Sequence, residues 1–116
     1  MWNIPTKEQL AKIPPLGSQS EIEPKDVIIH QHFFMGSWDW WISEYDGGDI
    51  FFGFANLGDS EMAEWGSVSL QELKELKTEI PLYSMKPYKQ IGKFPLEVDC
   101  DKYWQPKKFS EIWPKP

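Results

Sequence analysis

SWDWWISEYDGGDIFFGF, residues 37–54, gathers three tryptophans, three phenylalanines and one tyrosine around Gly47 and Gly48. Two runs rich in aromatic and β-branched residues, separated by a glycine pair, predict a β-hairpin, because glycine reaches positive φ without strain. A two-residue turn sets the register. Tyr45 then faces Ile50, Ser43 faces Phe52 and Trp41 faces Phe54. On the opposite face Glu44 meets Phe51, Ile42 meets Gly53 and Trp40 meets Ala55. Strand alternation puts Trp41, Tyr45, Ile50, Phe52 and Phe54 on one solidly apolar face, which reads as the main core. Trp38, Trp40, Ile42 and Phe51 lie on the other with Glu44, and that face is either covered by terminal helices or partly open. Gly53 leaves a dent opposite Ile42.

The flanking sequence supplies further elements. Thr6 and Gln9 form a capping box for a short helix that Pro14 and Pro15 end. Residues 16–25 read as a loop, and DVIIHQHFFMG (26–36) as a strand closed by glycine. AEWGSVS (63–69) is a short strand. Ser69 and Glu72 make a second capping box, followed by Leu70, Leu73 and Leu76 on one helical side. EIPLYSMKPYKQIGKFP (79–95) reads as an extended excursion with a turn near Gly92. LEVDC (96–100) is a strand, and Pro106 to Ile112 a short helical turn. The order predicts one α+β domain over residues 1–116, a mostly antiparallel meander sheet of four to five strands carrying two or three short helices.

The chain has 116 residues, a net charge of −6 and one cysteine, Cys100. One cysteine excludes an internal disulfide and a Cys-rich zinc site. The N-terminal residues lack the pattern of a signal peptide, and no apolar run approaches a membrane span, so a cytoplasmic protein without membrane contact is expected. The acidic balance disfavours direct nucleic-acid binding, which requires a positive face. The one basic concentration is late, at Lys86, Lys89, Lys93, Lys102, Lys107, Lys108 and Lys115.

Three groups of residues could carry chemistry. His30 and His32 point the same way if they share a strand, and with Glu44 or Asp39 from the next strand they could hold a metal. They read more simply as half-buried strand residues bonded to backbone or solvent. Glu44, Asp46, Asp49, Asp59, Glu61 and Glu64 could supply paired carboxylates, but turns and sheet edges carry such charges commonly. The tryptophans could stack on sugars or bases, with core packing the favoured reading. GGDIFFGFANLG (47–58) lacks the Lys-Ser/Thr step of a phosphate loop.

MWNIPT (1–6), HFFMGSWDWWISEYDGGDIFFGFANLGD (32–59), EMAEWGSVSLQELKELK (61–77) and LEVDCDKYWQPKKFSEI (96–112) together resemble the bacterial family known as domain of unknown function 2958. Residues 79–95 look longer than the connection usual in that family. The resemblance implies a small cytosolic protein of plasmids, conjugative elements and phage-like regions, with no cofactor or catalytic residue to carry over. The expected function is a non-enzymatic protein-binding module, acting on an unidentified protein such as a host defence or DNA-processing factor, as a monomer or weak homodimer and with no cofactor. Trp38, Trp40, Phe51, Asp59, Glu61 and Glu64 are the expected contact residues. The alternatives are a metal-dependent hydrolase centred on His30, His32 and Glu44, and nucleic-acid binding through the C-terminal lysines.

Overall fold

The computed structural model describes residues 1–114. The fold is α+β, as the order of elements predicts. Helix α1 (Lys7–Ala11) has the expected Thr6–Gln9 capping box. Strands β1 (Ile28–Ile29), β2 (Gln31–Met35), β3 (Trp38–Tyr45), β4 (Ile50–Leu57) and β5 (Glu64–Ser69) follow, then α2 (Leu70–Glu75). Strands β6 (Lys77–Tyr83), β7 (Gln90–Glu97), β8 (Asp99–Cys100) and β9 (Lys107–Lys108) complete the chain. The central sheet has five antiparallel strands in the order β5-β4-β3-β2-β8, so β2 to β5 form the predicted meander. β1 pairs with β9, and β6 with β7, as separate ribbons. The predicted strand 26–36 therefore breaks at His30, its first half pairing with β9 and its second with β3 and β8.

The hairpin turn differs from the two-residue form. Only Gly47 of the glycine pair has positive φ, at +85°. Asp46 organises a wider loop instead: its Oδ1 accepts N–H bonds from Gly48, Asp49 and Ile50 at 2.8, 2.9 and 3.0 Å, and its own N–H donates to the Ile50 carbonyl. These backbone donors hold its carboxyl below the usual carboxylate range. The expected pairs Trp40–Ala55, Trp41–Phe54 and Ile42–Gly53 are present. Beyond them the ladder shifts by one residue, pairing Glu44 with Phe52 and Tyr45 with Phe51. Ser43 is the extra residue of this bulge, and its hydroxyl donates to the Phe52 carbonyl at 3.0 Å.

The bulge moves Tyr45 and Glu44 off their predicted faces. Tyr45 joins Phe33, Trp40, Ile42, Leu70, Leu73 and Val98 in the larger buried cluster, closed by both helices, where Phe51 lies with Trp40 and Ile42 as alternation predicts. The face expected to be partly open is thus the main core: Trp40 is 5% exposed and Phe51 fully buried. Trp41 and Phe54 lie on the other face, covered by Val27, Ile29 and Phe109. The aromatic residues fill both layers. Leu70 and Leu73 dock α2 as its leucine spacing predicts, and the Ser69 side chain caps it by accepting from the Glu72 N–H. Asp49 extends that cap, its Oδ1 accepting from Gln71 N–H and its Oδ2 from the Ser69 hydroxyl.

Residues 77–97 form a second hairpin, not an excursion bending at Gly92. Gly92 pairs with Leu82 inside the ribbon, and the reversal occurs across Ser84–Lys89.

Candidate interaction surface

The β6–β7 ribbon leaves the body as an arm. The molecule measures 56 × 30 × 22 Å with a radius of gyration of 16.1 Å, against about 13 Å for a compact chain of this length. The arm's sequence explains its shape. Pairs Thr78–Leu96, Ile80–Phe94 and Leu82–Gly92 place the apolar side chains on one face. Pairs Lys77–Glu97, Glu79–Pro95 and Pro81–Lys93 make the other face charged or proline-bearing. Leu96 packs against the main core and anchors the root.

Further out, Ile80, Leu82 and Phe94 remain about half exposed, and Met85 and Tyr88 at the tip are 81% and 79% exposed. Tyr83 and Ile91, near the tip, are 59% and 63% exposed. An isolated two-stranded ribbon is marginal in water, so a ribbon of this composition gains from a partner. Each strand carries a proline, Pro81 and Pro95, which has no N–H to offer a further strand. Docking through the side-chain face is therefore favoured over extension of the ribbon by another strand.

The arm is also basic. Residues 80–96 contain three lysines and no acidic residue, so the net charge of −6 divides into +3 on this segment and −9 on the remainder. Lys93 bonds Glu79 at the root (3.4 Å), while Lys86 and Lys89 stand at the tip. The late lysines thus separate into two sets. Lys102 lies over the Tyr103 ring, Lys107 over the Trp104 ring at 4.4 Å, and Lys108 pairs with Asp26, all on the body. Lys115 lies outside the described residues.

The residues expected to make contacts fall into two groups. Trp40 and Phe51 are core, which removes them from any surface; Trp38 is half-buried, edge-on to Trp40 at 6.2 Å. Asp59, Glu61 and Glu64 are exposed, and Asp59 caps the turn Ser60–Met62 by accepting Glu61 N–H at 3.0 Å. The alternation of apolar residues that marks the arm was present in Ile80, Leu82, Phe94 and Leu96, but interspersed prolines masked it.

His32 Nε2 lies 2.8 Å from Asp39 Oδ1, with its ring against Phe34, Trp41 and Trp104. His30 is half-buried, its N–H donates to the Ile42 carbonyl, and burial lowers its imidazole pKa. Glu44 is turned elsewhere: its oxygens accept N–H bonds from Gly17 at 2.9 Å and Gln19 at 2.8 Å. Among the described residues, no three or more His, Cys, Asp and Glu side chains are grouped to hold a metal.

Cys100 is buried, and burial with the charges of Asp99 and Asp101 pushes its thiol up to about 12. The thiolate is the reactive form, so a thiol reagent such as DTNB is expected to react at pH 8 at least about a hundredfold more slowly than with a free thiol, and at the ordinary rate once denaturant is added. Fast reaction of the folded chain would contradict this burial. The raised value also makes Cys100 favour the folded state fully below its unfolded pKa, with that contribution lost as pH rises from about 9 toward 12.

No helix of the described residues is long and apolar enough to cross a membrane. A family model described as "Protein of unknown function (DUF2958)" matches residues 6–108. No curated protein and no solved structure matches the chain.

Proposed function

The chain belongs to the DUF2958 family of proteins of unknown function, and from that premise we propose that it is a non-enzymatic protein-binding module, a cytoplasmic accessory factor of mobile genetic elements. The observation that carries the proposal is the basic, amphipathic β6–β7 arm, whose apolar face beyond Leu96 leaves Ile80, Leu82 and Phe94 about half exposed. Its occupant is a protein with an apolar groove rimmed by acidic groups, matched to Lys86 and Lys89 at the tip. Charge complementarity of this kind steers encounter, while the buried apolar anchors set the lifetime of the complex. Asp59, Glu61 and Glu64, exposed on the body, serve as rim contacts that fix orientation.

The test places a photo-crosslinking benzoylphenylalanine at position 94 in cells, identifies the captured protein and reconstitutes the pair from purified components. Ile80→Glu with Phe94→Glu is expected to weaken the reconstituted complex more than tenfold while leaving the unfolding midpoint within a few degrees, since both sites are half exposed. Three results would overturn the reading. They are an intact complex with the double variant, a homodimer that the double variant abolishes, or a salt-dependent shift of DNA or RNA that requires the arm lysines.

A further inference from the structure

A second feature lies on the body, away from the arm. A cavity of about 400 Å³ opens between the loop 17–27 and strands β3, β4 and β5. Its apolar wall includes Ile22, Val27, Phe52 and Trp65, and the rings of Phe52 and Trp65 stack at 6.0 Å with 12° between their planes. Among these surroundings stands one charged residue, Glu44, only 6% exposed. The Ser43 bulge puts it there. Pairing Glu44 with Phe52 turns its side chain to the Phe52 side of the sheet, where unbroken alternation would have placed it on the other. Bulges that re-aim one side chain occur often beside functional sites.

Glu44 has no counter-charge beside it among the described residues. Both bonds to its carboxylate come from neutral backbone N–H groups, Gly17 and Gln19, and among the described residues no lysine, histidine or amino terminus lies within ion-pair distance. A buried carboxylate without a counter-charge is costly, and each oxygen retains a further lone pair. Trp65 likewise has no cation over its ring among the described residues; the two lysines placed over rings lie on Tyr103 and Trp104. A glutamate lining a largely apolar pocket, with a stacked indole in the same wall, is complementary to an organic cation on an apolar stem.

We propose that this pocket binds an alkyl guanidinium or ammonium group, the charged head approaching Glu44 and the stem lying along Phe52 and Trp65. A peptide arginine or lysine side chain and a free alkylamine share this chemistry.

The test is an NMR titration of the isotope-labelled full chain with Nα-acetyl-arginine methylamide, with agmatine, and with the neutral isostere Nα-acetyl-citrulline methylamide. Saturable shifts are expected at the Ser43 and Glu44 amides and the Trp65 indole N–H. The citrulline compound should bind at least about tenfold more weakly, because it lacks the charge. Glu44→Gln should weaken the cation about tenfold, and Trp65→Leu several-fold. Binding of the arginine compound alone assigns a peptide side chain, and binding of agmatine alone a free amine. Absence of saturable shifts with both cations, or equal binding of citrulline and arginine compounds, would overturn the proposal. Should Glu44→Gln release the loop, seen as displaced Gly17 and Gln19 amides, the citrulline comparison on the unaltered chain decides.

Discussion

Gly53→Ala is expected to destabilise the protein by at least about 3 kcal/mol and to lower its unfolding midpoint by roughly 10 °C or more. The reason is a single close approach. A Cβ built on Gly53 would stand 2.1 Å from the Trp41 carbonyl oxygen and 2.9 Å from Ile42 Cα. Both neighbours are backbone in the centre of the sheet, so neither can give way as a flexible side chain would. The crowding arises where β3 begins its bulge, next to the Ile42–Gly53 pair. Relieving it means straightening β3, which would turn Tyr45 out of the main core and Glu44 away from Gly17 and Gln19. Gly66, the partner of Gly53 on β5, supplies the control. A Cβ there meets nothing within 4 Å, so Gly66→Ala should change stability by no more than about 1 kcal/mol. Thermal and urea unfolding of the two variants compares them directly. Equal midpoints would mean that the strands do not approach as described.

Phe51→Ala is expected to cost about 3 to 5 kcal/mol, the range for removing a buried ring. Phe51 is fully buried, with its ring 4.7 Å from Tyr45 and 5.5 Å from Phe33. Few atoms near it are free to collapse into the space, because β2, β3 and β4 are held in register around it. The same substitution separates two accounts of the aromatic hairpin. On an open contact surface the loss would be well under 1 kcal/mol, and binding rather than folding would suffer. Urea unfolding monitored by circular dichroism reads the difference.

Several local decisions were legible in the residues. Thr6 with Gln9 and Ser69 with Glu72 marked both helix starts, because a cap needs only side chains three residues apart. The strands of the meander were legible from their β-branched and aromatic runs, and the outer half of the hairpin register matches the two-residue-turn reading because the extra residue at Ser43 offsets the wider turn. The inner half does not. Gly47 and Gly48 suit a two-residue turn, and nothing near them in sequence announces that Asp46 will gather three backbone N–H groups instead. The carboxylates present a similar limit. Glu44, Asp46 and Asp49 all sit near one turn, yet one anchors a loop 25 to 27 residues away, one closes the turn, and one caps a helix.

By itself the sequence determined the kinds of element and their order, the absence of any internal disulfide, and an excess of acidic charge. It did so because caps, glycine turns and strand alternation act over a few residues, and composition acts over none. Alternation placed Trp40 and Phe51 on one side of the sheet and Trp41 and Phe54 on the other, but which side is the main core, and the side that Tyr45 takes, were decided only in three dimensions. One extra residue at Ser43 inverts the parity of Glu44 and Tyr45 at the end of β3, and its place depends on a backbone contact between strands. The arm's exposure was likewise a tertiary outcome. Its apolar face is visible in the sequence, but only the packed body shows that Leu96 is held at the root while Ile80, Leu82 and Phe94 stay about half exposed.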